Sequence, residues 1–345
     1  MKLISIAKPG SFDRLRLVEA ADPKPRPGEV LVASRAAGVN FADVVVRLGL
    51  YESAKKYVGW PITPGFEFSG EVAGLGEGVS DLQLGERVFG LTRFGGYASH
   101  LCVPRGQLFR VPSALSHAQA ASFPTVHLTA YYALREILRT RPGRGERVLV
   151  HSAAGGVGLA ALQMARADGL LPIGVVGSSH KRDIALSYGA ADVIDKSTQS
   201  LWPEVERIAP GGLHYVLESN GAETLKQSYR HLRPTGRLVI YGFTTMLSRG
   251  SARPNWLKLA WEFLRTPRFH PLELLNVNKG VIGFNLSYLF EEQALLEEAM
   301  TRMLAELESG VLRPLPVTEV PLADAAEAHR ALQSGTSVGK LVLVP

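Results

Sequence analysis

At 345 residues the chain is long enough for two domains, each with its own core. A single cysteine, Cys102, excludes a disulfide framework or a thiolate zinc cluster within the chain. The net charge of +6 comes from scattered Lys and Arg, which suits an anionic cofactor and carries no nucleic-acid footprint. No apolar run approaches membrane-spanning length and the first residues lack a secretory core, so the expected location is cytoplasmic.

Residues 1–123 read as short strands and turns with little helical periodicity. The stiff connector Pro23-Lys24-Pro25-Arg26-Pro27-Gly28 precedes an apolar strand starting at Glu29. From Pro124 the pattern changes to strands alternating with helices, with strands predicted at 147–151, 171–176, 192–194, 214–218 and 237–241. That alternation predicts an α/β fold with a doubly wound parallel sheet. A charged amphipathic helix at 291–308 and a last strand at 341–344 follow. The last strand is expected to return to the N-terminal part, so the parallel sheet would be inserted into a β-rich domain.

The first strand of the sheet runs into Gly155-Gly156-Val157-Gly158 and then into a good helix former. Strand, glycine turn and helix in that order are the setting of a dinucleotide site. Gly155, Gly156 and Val157 are expected at the pyrophosphate, where backbone N–H groups and a helix N-terminus attract an anion. Gly158 would let the helix lie close to the strand. The second strand ends in Gly177-Ser178-Ser179-His180-Lys181-Arg182, with hydroxyls and cations where NAD sites carry a carboxylate. This favours NADPH, with Gly177, Ser178 and Lys181 at the adenosine phosphate. The alternative is that Lys181 and Arg182 are solvated residues opening a surface helix.

The whole arrangement resembles the medium-chain dehydrogenase/reductase superfamily. Gly38-Val39-Asn40-Phe41-Ala42-Asp43 with Arg47-Leu48-Gly49-Leu50-Tyr51 looks like the signature of its zinc-free quinone oxidoreductase branch. Pro64-Gly65-Phe66-Glu67 and Leu128-Thr129-Ala130-Tyr131-Tyr132 fit the same branch. Zinc alcohol dehydrogenases of the superfamily carry a Cys near position 38 and a His at the position of Phe66. Both are missing here, so no metal is expected. The stretch from Phe243 to Lys279, together with Gly283-Phe284-Asn285 and Val338-Gly339-Lys340, looks like the vesicle amine transport protein homologues within that branch.

The resemblance implies a Rossmann-type NADPH domain at 124–290, carrying an inserted segment at about 243–279. A GroES-like domain would be formed by 1–123 plus 291–345. It implies hydride transfer to a quinone or an α,β-unsaturated carbonyl, and a homodimer joined near 280–286. Asn40 would lie at the junction of nicotinamide and substrate, and Thr129, at the start of a helix, would bond the nicotinamide ribose or carboxamide. Gly242, Phe243, Phe284 and Asn285 would line the nicotinamide face. Lys196 stands where related reductases place an aromatic residue and would add charge to the phosphate site or be solvated. Tyr51 is the candidate proton donor or carbonyl-orienting group, because a phenol can donate to a developing enolate or hydroquinone oxygen, with water as the alternative donor. Asp43 is read as a helix-start residue and Glu67 as structural or ion-paired. Aromatics around Trp256 and Trp261, interleaved with Lys258, Arg265, Arg268 and His270, read as a lid or subunit contact, with peripheral membrane contact as the lesser reading. The rival function is a nucleotide-binding lipid- or membrane-associated protein with little reductase turnover.

Overall fold

A computed structural model describes residues 1–140, 143–248, 250 and 252–345. Its N-terminal strands are β1 (Lys2–Ser5), β2 (Arg16–Glu19), β3 (Glu29–Gly38), β4 (Glu67–Leu75), β5 (Arg87–Leu91), β6 (His100–Pro104) and β7 (Leu108–Arg110). Among them lie α1 (Phe41–Arg47) and α2 (Glu52–Tyr57), followed by α3 (His117–Ala121) and α4 (Pro124–Tyr131). The side chains of β3 alternate between buried and part-exposed along most of its length, as a strand with one face on a core requires. The sequence shows little helical periodicity here, yet α1 and α3 form. They span 7 and 5 residues, too few for a period to register, and each starts from a capping box, at Asn40 and Ser116.

The second half alternates β8 (Arg147–Val150), α5 (Gly156–Ala167), β9 (Leu171–Val176), α6 (Arg182–Ser187), β10 (Asp192–Asp195), α7 (Leu201–Ile208), β11 (Leu213–Glu218), α8 (Ala222–Arg230) and β12 (Leu232–Ile240). Then come α9 (Trp256–Arg265), α10 (Pro271–Val277) and β13 (Gly280–Gly283). These strands form one parallel sheet in the order β10-β9-β8-β11-β12-β13. Val148, Leu149 and Val150 are buried on both faces of β8, as helices on either side of a parallel sheet demand. The order reverses between β8 and β11, so the carboxyl ends of those strands open a crevice for a ligand.

The chain finishes with α11 (Gln293–Glu308), β14 (Val317–Pro321), α12 (Ala325–Ser334) and β15 (Lys340–Val344). β15 pairs antiparallel with β3, Leu343 opposite Ala37, and completes a seven-stranded sheet that also holds β14, β4, β5, β6 and β7. The parallel sheet is therefore inserted into the β-rich domain. Helix α11 packs on α4, and its Ala299, Met300 and Met303 join the core around Leu159 and Leu162 of α5.

The segment at 243–279 holds α9 and α10; residues 249 and 251 of it lie outside the described residues. Leu247 and Leu259 pack on Val44 and Leu48 of α1, which ties the segment to the β-rich domain. The outer face is bare: Trp256, Leu257, Phe263, Leu264, Leu272 and Leu275 are all exposed.

Candidate active site at the domain border

Gly155 caps α5, and Gly156 and Val157 open its first turn, whose N–H groups have no helical carbonyl to meet. Only glycine fits at 158, because a Cβ there would sit 2.5 Å from the Ser152 carbonyl oxygen. A Cβ on Gly156 would lie 2.8 Å from Val126 Cγ1 and 3.0 Å from Lys340 Cδ. The left-handed residue of the turn is Ser152, with φ 53°, while Gly155 keeps an ordinary φ of −83°. The turn thus owes its left-handed step to a residue absent from the glycine motif.

On the adenosine side, Gly177 follows β9 with open space where a Cβ would be, and Ser178 leads into a short turn. Lys181 is no solvated cation. It is buried, and its Nζ donates to the carbonyls of Gly335 at 2.6 Å and Ser337 at 2.9 Å, just before β15. Arg182 donates to the Val193 carbonyl. A carboxylate does stand near this corner, at the end of the third strand instead of the second. Asp195 pairs in register with Val176, and its carboxylate accepts from Ser179 Oγ at 2.5 Å and from Ser197 N and Oγ. Burial works to raise its pKa, but those hydrogen bonds outweigh it and hold the group at about 2. Lys196 follows directly, its backbone N–H donating to the Val176 carbonyl.

At the other end of the cleft Asn40 caps α1, and Asp43 accepts from the backbone N–H groups of Asn40 and Gly65, each at 2.8 Å. Burial pushes Asp43 up to about 7 against those bonds. Its contacts are those of a residue that fixes the helix start and the turn at Gly65. Glu67 is fully buried and ion-paired: Lys340 Nζ lies 2.6 Å from its Oε1. The same oxygen accepts from Asn40 Nδ2 at 2.9 Å, and Oε2 accepts from Thr125 N at 2.8 Å. Lys340 also donates to Asn40 Oδ1 at 2.7 Å and to the Val39 carbonyl at 2.8 Å. Lys340 takes this place with little warning in the sequence. Its one signal was a cation in a strand otherwise wholly apolar.

Thr129 stands in the last turn of α4, away from the helix start, and its hydroxyl donates to the Thr125 carbonyl at 2.7 Å. The structure brings Tyr51 and Asn285 together across the border, the phenol donating to Asn285 Oδ1 at 3.0 Å. Burial raises the Tyr51 pKa, so the phenol keeps its proton. Tyr51 meets Phe66 edge-on with centroids 5.7 Å apart, and Phe66 meets Phe94 at 5.2 Å. Phe284 packs on Tyr132 at 5.0 Å, where α4 widens into a π-helical turn. Gly242 and Phe243 follow β12, and the Phe243 ring lies over Gly221.

Two family models match the chain: the alcohol dehydrogenase GroES-like domain over residues 26–113, and zinc-binding dehydrogenase over 156–261. The synaptic vesicle membrane protein VAT-1 homolog of Rattus norvegicus is 35% identical over 338 residues, 97% of this chain and 82% of that protein. Among solved structures, the Escherichia coli quinone oxidoreductase complexed with NADPH matches with a TM-score of 0.85 and 30% identity over 100% of both chains. CurK enoyl reductase matches with a TM-score of 0.85 and 28% identity, over 99% of this chain and 98% of that one. A zinc ion does not fit these residues. Phe66 supplies a ring and no lone pair, and the Lys340 ammonium already sits between Asn40 and Glu67. Among the described residues no group of three His, Cys, Asp or Glu could hold a metal. The chain belongs to the medium-chain dehydrogenase/reductase superfamily, in its zinc-free branch.

Proposed function

We propose that this oxidoreductase is an NADPH-dependent reductase that delivers hydride to a quinone or to the β-carbon of an α,β-unsaturated carbonyl. The observation that carries this reading is the aromatic cluster of Tyr51, Phe66 and Phe94, with Phe66 at a position where zinc relatives present a ligand His. A flat conjugated acceptor packs well against such rings. NADPH is the hydride source. Gly155, Gly156 and Val157 hold its pyrophosphate, and Gly177, Ser178, Lys181 and Lys196 surround the adenosine phosphate. Phe284 and Tyr132 exclude water from the reacting end, and Asn40 and Asn285 supply amides there. Tyr51 holds its proton for the oxygen that gains charge. The quinone oxidoreductase and enoyl reductase among the similar structures support both acceptor classes.

The test is NADPH oxidation, followed by its near-ultraviolet absorbance, with menadione and cinnamaldehyde, beside titrations of NADPH and NADH. Acceptor-dependent turnover with NADPH preferred is the expected result. Tight NADPH binding with no turnover would sink the reductase reading. It would favour the rival, a nucleotide-binding membrane-associated protein, for which the exposed apolar face of α9 and α10 speaks. No described helix is long and apolar enough to cross a membrane, so such contact would be peripheral. Hydrogen–deuterium exchange with anionic vesicles reads it directly: unchanged protection over α9 and α10 removes the rival.

A further inference from the structure

The Asn40 amide is held between opposite charges. Lys340 Nζ donates to its Oδ1 at 2.7 Å, and its Nδ2 donates to Glu67 Oε1 at 2.9 Å. Turned over, the amide would set N–H groups against an ammonium and an oxygen against a carboxylate, so both contacts would become repulsive. Charge therefore fixes its direction, where shape alone would leave the two ends interchangeable. In that direction one Nδ2 hydrogen goes to Glu67 and the second is left over.

Lys340 is anchored at both ends. Its stem passes Gly156 of the cofactor loop, and its neighbour Gly339 donates its backbone N–H to the Ala154 carbonyl at 2.9 Å. All three ammonium hydrogens have acceptors, on Val39, Asn40 and Glu67. None remains for a cofactor phosphate, so the cation serves the interior. Glu67 in turn is braced by Thr125 N at the start of α4.

We propose that Lys340 and Glu67 are positioning residues that hold Asn40 as an oriented N–H donor to the carbonyl oxygen of the acceptor. The proposal rests on the reductase reading above. Hydride brings two electrons to the β-carbon, the π electrons move to oxygen, and the enolate oxygen carries the charge until a proton arrives from Tyr51 or water. A donor fixed before the reaction stabilises that charge without reorganising.

The test exchanges the groups while keeping the charge. In the double variant Asn40→Asp with Glu67→Gln, net charge and size are retained. The new carboxylate can accept from Lys340 and from the new amide, and Thr125 N keeps an acceptor. The spare N–H is gone, and Lys340 gives up its contact with position 67 while keeping the carboxylate at position 40 and the Val39 carbonyl. The melting temperature should fall a little and NADPH affinity should stay near wild type, while kcat falls about 50-fold with little change in KM. Lys340→Met should lower kcat about tenfold, and Lys340→Arg should restore part of it. A second readout needs no turnover: the infrared carbonyl stretch of cinnamaldehyde bound with NADP+. It should lie lower in wild type than in the double variant. A double variant with wild-type kcat, or an equal carbonyl stretch in both, overturns the proposal. A wild type that turns over no acceptor sinks the reductase reading by itself, and the infrared comparison still decides the role of Asn40.

Discussion

Lys181 and Asp195 show how two charged side chains acquire roles that their sequence neighbours do not announce. Lys181 was legible as a cation after β9, but its grip on the Gly335 and Ser337 carbonyls was not, because those partners lie far along the chain. Its replacement by Ala should weaken NADPH binding more than NADH binding, and should also loosen the turn before β15. Titrating both nucleotides, with hydrogen exchange over 335–337, checks the two effects separately. Nothing in the sequence marks Asp195, because dinucleotide sites carry their carboxylate on the second strand and only parallel register brings the third strand's carboxylate to the same corner. Its pKa of about 2 lies below the ordinary 3.8, so folding favours its charged form. That contribution is fully present above pH 4 and is lost as the pH falls toward 2. It amounts to about 2 kcal/mol. Asp195→Asn should lower stability by about that amount at neutral pH and should flatten the acid limb of the stability profile. Urea unfolding of both proteins across that pH range is the measurement.

Among the elements, the parallel strands and their helices were readable because each is a buried apolar run with a helical stretch after it. The glycine loop was readable for the same reason, and its residues now carry distinct duties. Gly158 serves close packing, while the left-handed step belongs to Ser152. Gly158→Ala should therefore cost about 2 kcal/mol by overpacking against the Ser152 carbonyl. It should also weaken NADPH binding about tenfold by pushing α5 away from β8. Thermal melts and fluorescence titration read the two effects. Helix α3 was not legible, and of α1 only the start at Asp43 was, since a helix of one or two turns shows its caps and little else. Helix α9 was legible as aromatics interleaved with basic residues, yet its inner contact with α1 depends on the tertiary fold.

For the whole molecule, β13 ends the parallel sheet with an unpaired edge among the described strands, next to the bare face of α10. Open edges of this kind are sites where chains associate. A homodimer built on that edge should sediment at twice the 37.3 kDa of the chain, and dilution should not split it readily. A mass of one chain at micromolar concentration would remove the expectation. The insertion of one domain into the other was legible from the return of an apolar strand at the end of the sequence. What joins the halves was not, because Lys340, Lys181 and Leu247 reach partners that only the fold brings near.

The pairing of Ala37 with Leu343 has a kinetic consequence. The parallel sheet is continuous in sequence, so its strands can meet as soon as they are made. The edge of the other sheet beyond β3 must wait for β15 and β14 from the far end of the chain, and closing so large a loop is slow. Folding should run in two stages, with the nucleotide loop formed early and the residues around Asn40 assembled last. NADPH present during refolding would then bind the first stage weakly and speed the second little, since Lys340 and Glu67 meet only when β15 docks.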